Sequence, residues 1–468
     1  MLTFISKEDK NNLLLIFGGW SVPPRFYNDI SVNDWDILLV SSYDDFSLPA
    51  SLFSSYSSIG VVAWSMGVYA ASRASLPLDK IAFAIAVNGT PLPVSDAYGI
   101  PTDIFRNTAK NLDARNLLKF RKRMAGNLFP LYSERLQGED DIEDLRKQLN
   151  FIESHFLTEK SPNPTSPHFW TRAYISREDR IFPMENQINA WETFYPLTDI
   201  AVIEGPHLAD LNHIVSSVII PRERIARKFE KALPTYDANA SAQQYIAERL
   251  ASMAPEIFTD RILEIGQGTG FFSRLVARKL HPRTIDYIDL YPTPRLNLAP
   301  EENYYIEDAE KYIREKAKEL RSHYDAVVSA SALQWFMNPA GFFAGCANLL
   351  KPDGLLLCST FSPSNLSALK PLNPYRLLYR SKEELSAILQ NHFREVRIEE
   401  DSFSINFESK RSLLSHLGST GVGASSKPKF SDSYARPSRS QAAAETDEFP
   451  TSLTYNPLFI RAQYPIGK

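Results

Sequence analysis

Short apolar runs alternate with longer amphipathic segments along the chain. In the first half the runs are nearly continuous, which is typical of strands buried on both faces of a mainly parallel sheet. The predicted strands are Leu13–Gly19, Asp36–Ser41, Gly60–Trp64, Ile81–Gly89, Thr171–Ser176 and Asp199–Gly205. Between Gly89 and Trp170 the pattern becomes charged and helical. This change predicts a helical lid over about residues 90–169, inserted over the sheet.

A second alternating series begins near Arg261. Its predicted strands are "RILEIG", "TIDYIDL", "NYYIED", "YDAVVSA", "GLLLCST" and the closing segment "SLTYNPLFIRAQY". A basic helical connection, "PRERIARKFEKALPTYD", separates the two series, so a boundary is expected near Pro221. The pattern therefore predicts two α/β domains, residues 1–220 and 221–468. Residues 419–448 are rich in Ser, Ala, Gly and Pro and predict a long mobile loop before the final strand.

The composition is that of an ordinary globular protein long enough for two cores. The 468 residues are 44% hydrophobic and 23% charged, with a net charge of -4 that offers no general attraction to nucleic acid. No apolar run approaches the ~20 residues of a membrane span, and the start of the chain has no signal-peptide pattern. A cytoplasmic protein without nucleic-acid or membrane partners is expected.

A serine between small residues stands where the third predicted strand runs into a helical segment. In "AWSMG", Ser65 has Ala63 and Gly67 at the positions where a nucleophile elbow requires small side chains, although Ala63 replaces the usual glycine. The strand–turn–helix context predicts an α/β-hydrolase fold with Ser65 as the nucleophile.

Two further residues follow predicted strands in the order that this fold requires. Asp179 comes after "TRAYIS" as the acid, and His207 comes after "DIAVIEG" as the base. The alternatives are Glu178 as the acid and His155, His168 or His213 as the base. The backbone N–H groups of Met66 and of Trp20, which follows two glycines, are expected to stabilise the oxyanion.

The predicted lid carries basic residues at helical spacing. Arg115, Lys119 and Lys122 occupy positions i, i+4 and i+7, with Arg121 and Arg123 nearby. Such a stripe forms either a solvated helix face or a docking face for an anionic carrier.

The second half begins with a strand, a glycine-rich turn and a helix, the arrangement that lets a cofactor approach the backbone. The G-x-G-x-G spacing, with acidic residues ending or following the next two strands, resembles class I (Rossmann-like) S-adenosylmethionine-dependent methyltransferases more than dehydrogenases, whose turn is G-x-G-x-x-G. The predicted cofactor-binding residues are Glu264, Gly266, Gly268, Gly270, Asp289, Asp308 and Ala309. Among them, Asp289 is placed to accept hydrogen bonds from both ribose hydroxyls and Asp308 from the adenine amino group.

The segment before this turn indicates which family of methyltransferases the second half resembles. The motif Y-D-x-x-A-x-x-Q starts at Tyr236 and, with "ALQWF", "STFSP" and "HLGSTG", resembles the BioC family of malonyl-[acyl-carrier protein] O-methyltransferases over about residues 225–465. The resemblance implies S-adenosylmethionine as cofactor, a helix that closes over it, and Tyr236 facing the reaction centre.

The first half resembles the BioG group of pimeloyl-[acyl-carrier protein] methyl esterases over about residues 10–218. The residues that carry this resemblance are "IFGGWSVPP", "AWSMG", "DRIFP" and "EGPH". Together the two resemblances imply a bifunctional enzyme of biotin synthesis that methylates malonyl-acyl carrier protein and hydrolyses pimeloyl-acyl carrier protein methyl ester. Neither site is expected to hold a metal.

Two other interpretations of the pair stay open. One is a small-molecule carboxyl methyltransferase fused to a general carboxylesterase. The other is a methyltransferase fused to a catalytically inactive docking module with the hydrolase fold.

Overall fold

The computed structural model describes residues 2–138, 141–158, 170–419 and 450–466. The chain divides into two compact units, Met1–Ser216 and Ser217–Lys468. Parts of two predicted segments lie outside the described residues: positions 139–140 and 159–169 of the lid, including His168, and nearly all of the loop predicted at 419–448.

The first unit is built on a seven-stranded sheet. Its strands are β1 (Leu2–Ser6), β2 (Asn12–Phe17), β3 (Trp35–Val40), β4 (Ser58–Trp64), β5 (Ile81–Val87), β6 (Arg172–Ser176) and β7 (Asp199–Ile203). They are ordered β1-β3-β2-β4-β5-β6-β7, and all neighbours are parallel except β1, which pairs antiparallel with β3. The inner strands are buried along nearly their whole length, which explains their continuous apolar sequence.

The helices of this unit follow the strands and fill the connection between β5 and β6. They are α1 (Met66–Arg73), α2 (Thr102–Lys110), α3 (Ala114–Ala125), α4 (Phe129–Leu136), α5 (Ile142–Thr158), α6 (Met184–Phe194) and α7 (Leu211–Val218). Helices α2 to α5 lie in the segment predicted as a lid and are called the lid helices below.

The second unit has a seven-stranded sheet and a small two-stranded one. Its strands are β8 (Thr259–Ile265), β9 (Pro282–Asp289), β10 (Glu301–Ile306), β11 (Tyr324–Ser329), β12 (Leu350–Phe361), β13 (Phe393–Glu400), β14 (Phe403–Asn406), β15 (Ser452–Tyr455) and β16 (Pro457–Pro465). Its helices are α8 (Arg222–Ala232), α9 (Tyr236–Asn239), α10 (Ser241–Ser252), α11 (Phe271–Leu280), α12 (Ala309–Lys316), α13 (Pro339–Leu349), α14 (Lys382–Gln390) and α15 (Lys410–Ser419).

The large sheet is ordered β10-β9-β8-β11-β12-β16-β13, with β16 antiparallel to both of its neighbours. The chain proceeds from β8 outward through β9 and β10, and then crosses to β11 on the other side. A crevice at the carboxyl ends of the strands is expected at such a reversal of strand order.

The predicted closing strand is in fact two strands in different sheets. β15 pairs with β14, whereas β16 joins the large sheet, and the break falls at Asn456, immediately before Pro457. Proline has no backbone N–H to donate, so it is tolerated at the first position of a strand. Edge strands β1 and β13 were not predicted, because their alternating or charged sequences lack the continuous apolar run of the inner strands.

Within the ranges described above, none of the helices combines the length and the apolar character needed to cross a membrane.

Candidate active sites

Ser65 occupies a sharp, strained turn between β4 and α1. Its φ of 59° and ψ of -125° are unusual for a residue with a side chain. A Cβ atom added at Gly67 would lie 2.3 Å from the Phe17 carbonyl oxygen, so only glycine fits there. Glycine is therefore required two residues after the serine, because the Phe17 backbone lies so close.

A hydrogen-bond chain joins Ser65, His207 and Asp179. His207 Nε2 lies 2.9 Å from Ser65 Oγ, and His207 Nδ1 lies 2.8 Å from Asp179 Oδ2. All three residues are buried, with His207 fully enclosed. A carboxylate only accepts, so Nδ1–H donates to Asp179 and Nε2 is left to accept from the serine hydroxyl. This tautomer is the one that allows a histidine to act as a base toward serine.

The alternative acid, and the two alternative bases that lie within the described residues, are not part of this hydrogen-bond chain. Glu178 is exposed. His155 Nδ1 lies 2.8 Å from Tyr69 Oη, and His213 lies on α7.

Several residues that sequence reasoning missed hold this chain in place. Trp64 Nε1 and Asn88 Nδ2 donate to the His207 carbonyl at 3.0 and 2.8 Å. Gln187 Nε2 donates to Asp179 Oδ2 at 3.1 Å. Asn88 could have been proposed from the sequence, because it directly follows a buried strand. Gln187 lies within helix α6, where nothing in the sequence indicates this contact.

A small apolar pocket adjoins Ser65. Trp20 and Met66 line it beside the serine, and the lid helices supply most of the remaining wall: Ile104, Phe105, Thr108, Phe120, Arg123 and Leu149. The pocket is therefore suited to an apolar chain, with one cationic group on its wall.

The basic residues of α3 point in different directions. Arg115, Lys119 and Lys122 are exposed. Arg123 lines the pocket of Ser65, while Arg121 is buried. The stripe predicted from helical spacing thus excludes Arg123, which lines the pocket, and Arg121, which is buried.

In the second unit a cleft lies at the carboxyl ends of β8 to β11. Gly266 and Gly268, in the turn after β8, line it with φ values of 74° and 56°. A Cβ at Gly266 would lie 2.8 Å from the Ala332 Cβ. Gly270 is the residue before α11 and lies outside the cleft lining.

Asp289, the last residue of β9, lines the same cleft. Its Oδ2 accepts from the Gly268 amide at 3.0 Å and its Oδ1 from the Leu290 amide at 2.7 Å. Burial raises the pKa of Asp289 to about 6, an effect that these amides partly offset. The carboxylate is therefore ionised at neutral pH and keeps lone pairs for a ligand.

Glu264 does not reach the cleft. It is buried and accepts a hydrogen bond of 2.8 Å from Ser273 Oγ on α11. Side chains alternate along a strand, so the neighbouring Ile265 lines the cleft and Glu264 faces away from it. Burial raises the pKa of Glu264 to about 8, so it is mainly protonated at neutral pH.

Asp308 and Ala309 line the cleft where α12 begins. The Asp308 carboxylate caps α12 by accepting from the Lys311 amide at 3.1 Å, and it also pairs with Arg222. Arg222 further contacts Glu310 and donates to the Trp335 carbonyl at 2.5 Å. The expected adenine acceptor is thus held by an arginine that sequence reasoning missed.

Tyr236 lines the cleft from α9, and desolvation raises its pKa. Its neighbour Asp237 accepts a hydrogen bond of 2.7 Å from Thr269 Oγ1 in the glycine turn. The segment before β8 is therefore tied directly to that turn.

These residues fit a bound S-adenosylmethionine. The cleft combines the half-buried carboxylate of Asp289, backbone exposed at glycines, and aromatic walls that include Tyr291 and Trp335. In the parts of the chain that the structure describes, no group of three or more His, Cys, Asp or Glu side chains is arranged to hold a metal ion.

The sheet order and this cleft define the second unit as a class I S-adenosylmethionine-dependent methyltransferase. Family models agree with the division of the chain: one described as a methyltransferase domain matches residues 222–413, and one described as pimeloyl-ACP methyl esterase BioG matches residues 1–213.

The chain belongs to the family of malonyl-[acyl-carrier protein] O-methyltransferases, in a form with a BioG domain at residues 1–213. It is 33% identical over 477 residues to the malonyl-[acyl-carrier protein] O-methyltransferase of Bacteroides fragilis, covering 97% of this chain and 93% of that protein. The enzyme of the same name from Porphyromonas gingivalis is 33% identical over 253 residues, 52% of this chain and 96% of its own. The crystal structure of BioG from Haemophilus influenzae shows 31% identity and a TM-score of 0.40, covering 44% of this chain and 93% of that one.

The pKa of Asp289 predicts how cofactor affinity depends on pH. If Asp289 accepts from the ribose hydroxyls, as the sequence predicts, protonation weakens this contact, so its contribution is present above about pH 6 and lost as the pH falls through that value. Calorimetric titration with S-adenosylhomocysteine should show roughly fourfold weaker binding at pH 5.5 than at pH 7.5. In Asp289→Asn, binding should be weaker at every pH and nearly flat across this range. An equally steep slope in that variant would contradict the assignment.

The pKa of Glu264 predicts a change in stability with pH. The unfolded chain ionises this side chain above its ordinary value of 4.5, whereas the folded unit resists ionisation up to about pH 8, so the free energy of unfolding falls between these values. Glu264→Gln removes the penalty, and its stability relative to wild type should rise by about 2–4 kcal/mol from pH 5 to pH 8.

Scanning calorimetry can measure this difference on the thermal transition that S-adenosylhomocysteine shifts. Glu256→Gln, an exposed glutamate of the same unit, is the matched control and should show no such trend. A pH-independent difference for Glu264→Gln would show that Glu264 is ionised in the folded unit.

Proposed function

We propose that the chain is a bifunctional enzyme acting on acyl carrier protein at two stages of one pathway. Residues 221–468 would methylate the free carboxylate of malonyl-acyl carrier protein, and residues 1–220 would be an α/β hydrolase that cleaves pimeloyl-acyl carrier protein methyl ester. The observation that carries the second activity is the Ser65–His207–Asp179 hydrogen-bond chain beside an apolar pocket.

Ester hydrolysis would proceed through an acyl-enzyme. Ser65 Oγ attacks the ester carbonyl carbon while its proton passes to His207 Nε2, and the imidazolium is stabilised by Asp179. The amides of Met66 and Trp20 are assigned to the oxyanion. Collapse breaks the C–O bond and the departing methoxide takes the proton, leaving as methanol. Water then attacks the acyl-enzyme with His207 as base, which releases the free carboxylate and restores Ser65.

Methyl transfer requires less chemistry from the protein side chains than ester hydrolysis does. When bound, S-adenosylmethionine supplies a methyl group that is already activated by its sulfonium. Asp289, Asp308 and the glycine turn would hold the cofactor, and the segment carrying Tyr236 would exclude water from the cleft. Because a carboxylate is already nucleophilic, alignment and desolvation carry the rate, and no general base is assigned.

Methylation has a physical purpose in this scheme. A free carboxylate is costly to bury in the apolar pockets of chain-elongating enzymes, and the methyl ester removes that charge. Hydrolysis after elongation restores the carboxylate. The chain must then avoid cleaving the short ester that it makes.

We assign this selectivity to the length of the acyl chain. With the carrier held on the exposed side of α3 by Arg115, Lys119 and Lys122, the terminal ester of a pimeloyl group reaches Ser65. A malonyl group is shorter by four carbon atoms, roughly 5 Å, and its ester stops short of the serine.

Separate knockouts should separate the two activities. In mass spectrometry of carrier-bound substrates, Ser65→Ala should lose only hydrolysis of pimeloyl methyl ester. Asp289→Ala should lose most methylation of malonyl-acyl carrier protein and keep hydrolysis. Labelling of wild-type Ser65 by a fluorophosphonate probe is the control for a functional serine. Absence of labelling in the folded protein would overturn the hydrolase proposal and favour an inactive docking module.

Charge reversal on α3 tests carrier docking. Replacing Arg115, Lys119 and Lys122 with Glu should raise the KM for carrier-bound ester about tenfold or more, because acyl carrier protein is acidic, and should change the KM for a small free ester less than twofold. Lys7→Glu with Lys10→Glu, near edge strand β1, is a charge-reversal control outside the lid. Equal effects on both esters would identify the α3 stripe as a solvated face.

A further inference from the structure

The segment Gly18–Ser21, called the oxyanion loop here, is anchored to the sheet side by two buried tyrosines. The Gly19 amide donates to Tyr27 Oη at 2.8 Å, and the Tyr43 hydroxyl donates to the Gly18 carbonyl. The loop then turns through Ser21, which has a φ of 65°. Because a serine rarely adopts this conformation, other contacts must hold the loop in it.

Those contacts come from the lid helices. Arg121 Nη2 on α3 donates to the Ser21 carbonyl at 2.5 Å, and only 5% of Arg121 is exposed. The Trp20 indole Nε1 donates to the Leu145 carbonyl on α5 at 3.0 Å, and its ring meets Phe120 edge-on with centroids 5.1 Å apart. The loop is therefore held by hydrogen bonds at both ends. The two tyrosines bind its first half, and the lid helices bind its second half.

Trp20, whose amide is assigned to the oxyanion, lies between these two sets of contacts. Its peptide nitrogen follows Gly19, which Tyr27 fixes, and Ser21 follows it, which Arg121 fixes. A hydrogen bond from a guanidinium is stronger than one between neutral groups, and burial strengthens it further. Among the contacts that the described lid residues make to this loop, the Arg121 bond is the charge-assisted one.

We propose that Arg121 is a positioning residue of the esterase, which orients the Trp20 amide and thereby completes the oxyanion hole. This inference rests on the proposed hydrolase function. It gives the lid a second role besides forming the acyl pocket, because a lid side chain holds the loop whose amide is assigned to the oxyanion.

The test compares Arg121→Met and Arg121→Lys with Arg146→Met. Arg146 is a matched control because it also donates to carbonyls, those of Ala109 and Leu112, but only within the lid segment. On a small methyl ester, Arg121→Met should lower kcat about 10- to 100-fold with KM changed less than twofold, since only transition-state binding is lost. Arg121→Lys should retain part of the rate, and Arg146→Met should keep kcat within about threefold of wild type.

A trifluoromethyl ketone inhibitor supplies a readout that a merely structural role would not move. It forms a tetrahedral adduct with serine, so its affinity for Arg121→Met should fall in parallel with kcat, while the affinity of a non-reactive alcohol analogue stays unchanged. Added guanidinium at millimolar concentration should partly restore the activity of Arg121→Ala and leave Arg146→Ala unaffected.

The outcomes distinguish failure of this inference from failure of the proposed hydrolase function on which it rests. If the wild type hydrolyses no ester, the hydrolase proposal fails. If the wild type is active but Arg121→Met keeps its kcat and its affinity for the ketone, the positioning role is overturned. Equal losses in Arg146→Met would also overturn it, because general loosening of the lid would then explain the effect.

Discussion

A parallel sheet covered by helices on both faces is accessible to solutes mainly at the ends of its strands, and this constraint organises both units of the chain. Ser65, Asp179 and His207 follow β4, β6 and β7 in the first unit. The glycine turn, Asp289 and Asp308 stand at the ends of β8, β9 and β10 in the second. Chemistry-bearing residues distant in sequence therefore converge without long loops to bring them together.

Desolvation has different effects on two carboxyl groups of the second unit, the half-buried Asp289 and the fully buried Glu264. Asp289 accepts hydrogen bonds from two backbone amides, which limit its pKa to about 6 and leave it ionised at neutral pH. Glu264 accepts one hydrogen bond from a serine hydroxyl, and its pKa rises to about 8. The first carboxyl is suited to binding a ligand, whereas the second is a neutral packing group behind the glycine turn.

Most inner strands could be predicted to within about two residues, because burial on both faces demands a continuous apolar run; β12 begins four residues before its predicted start, at Leu350. The edge strands β1 and β13 could not, because their half-exposed or charged sequences contain no such run, whereas the edge strands β7 and β10 were predicted. The order of Ser65, Asp179 and His207 was also readable, because each follows a predicted strand. Arg121 was not separable from the basic residues around it, since its partner, the Ser21 carbonyl, lies 100 positions away in the chain. Glu264 shows the converse limit, because its position in a motif did not reveal which face of the strand it occupies.

The central claim is that one chain makes a short methyl ester and cleaves a longer one without undoing its own product. The most direct test incubates the wild type with malonyl-acyl carrier protein and methyl-labelled S-adenosylmethionine, following labelled ester and labelled methanol together. We predict that the ester accumulates as in Ser65→Ala, with labelled methanol released only when a pimeloyl carrier whose methyl ester also bears the label is supplied. Continuous release of labelled methanol from the malonyl substrate by the wild type, with ester accumulating only in Ser65→Ala, would contradict the account.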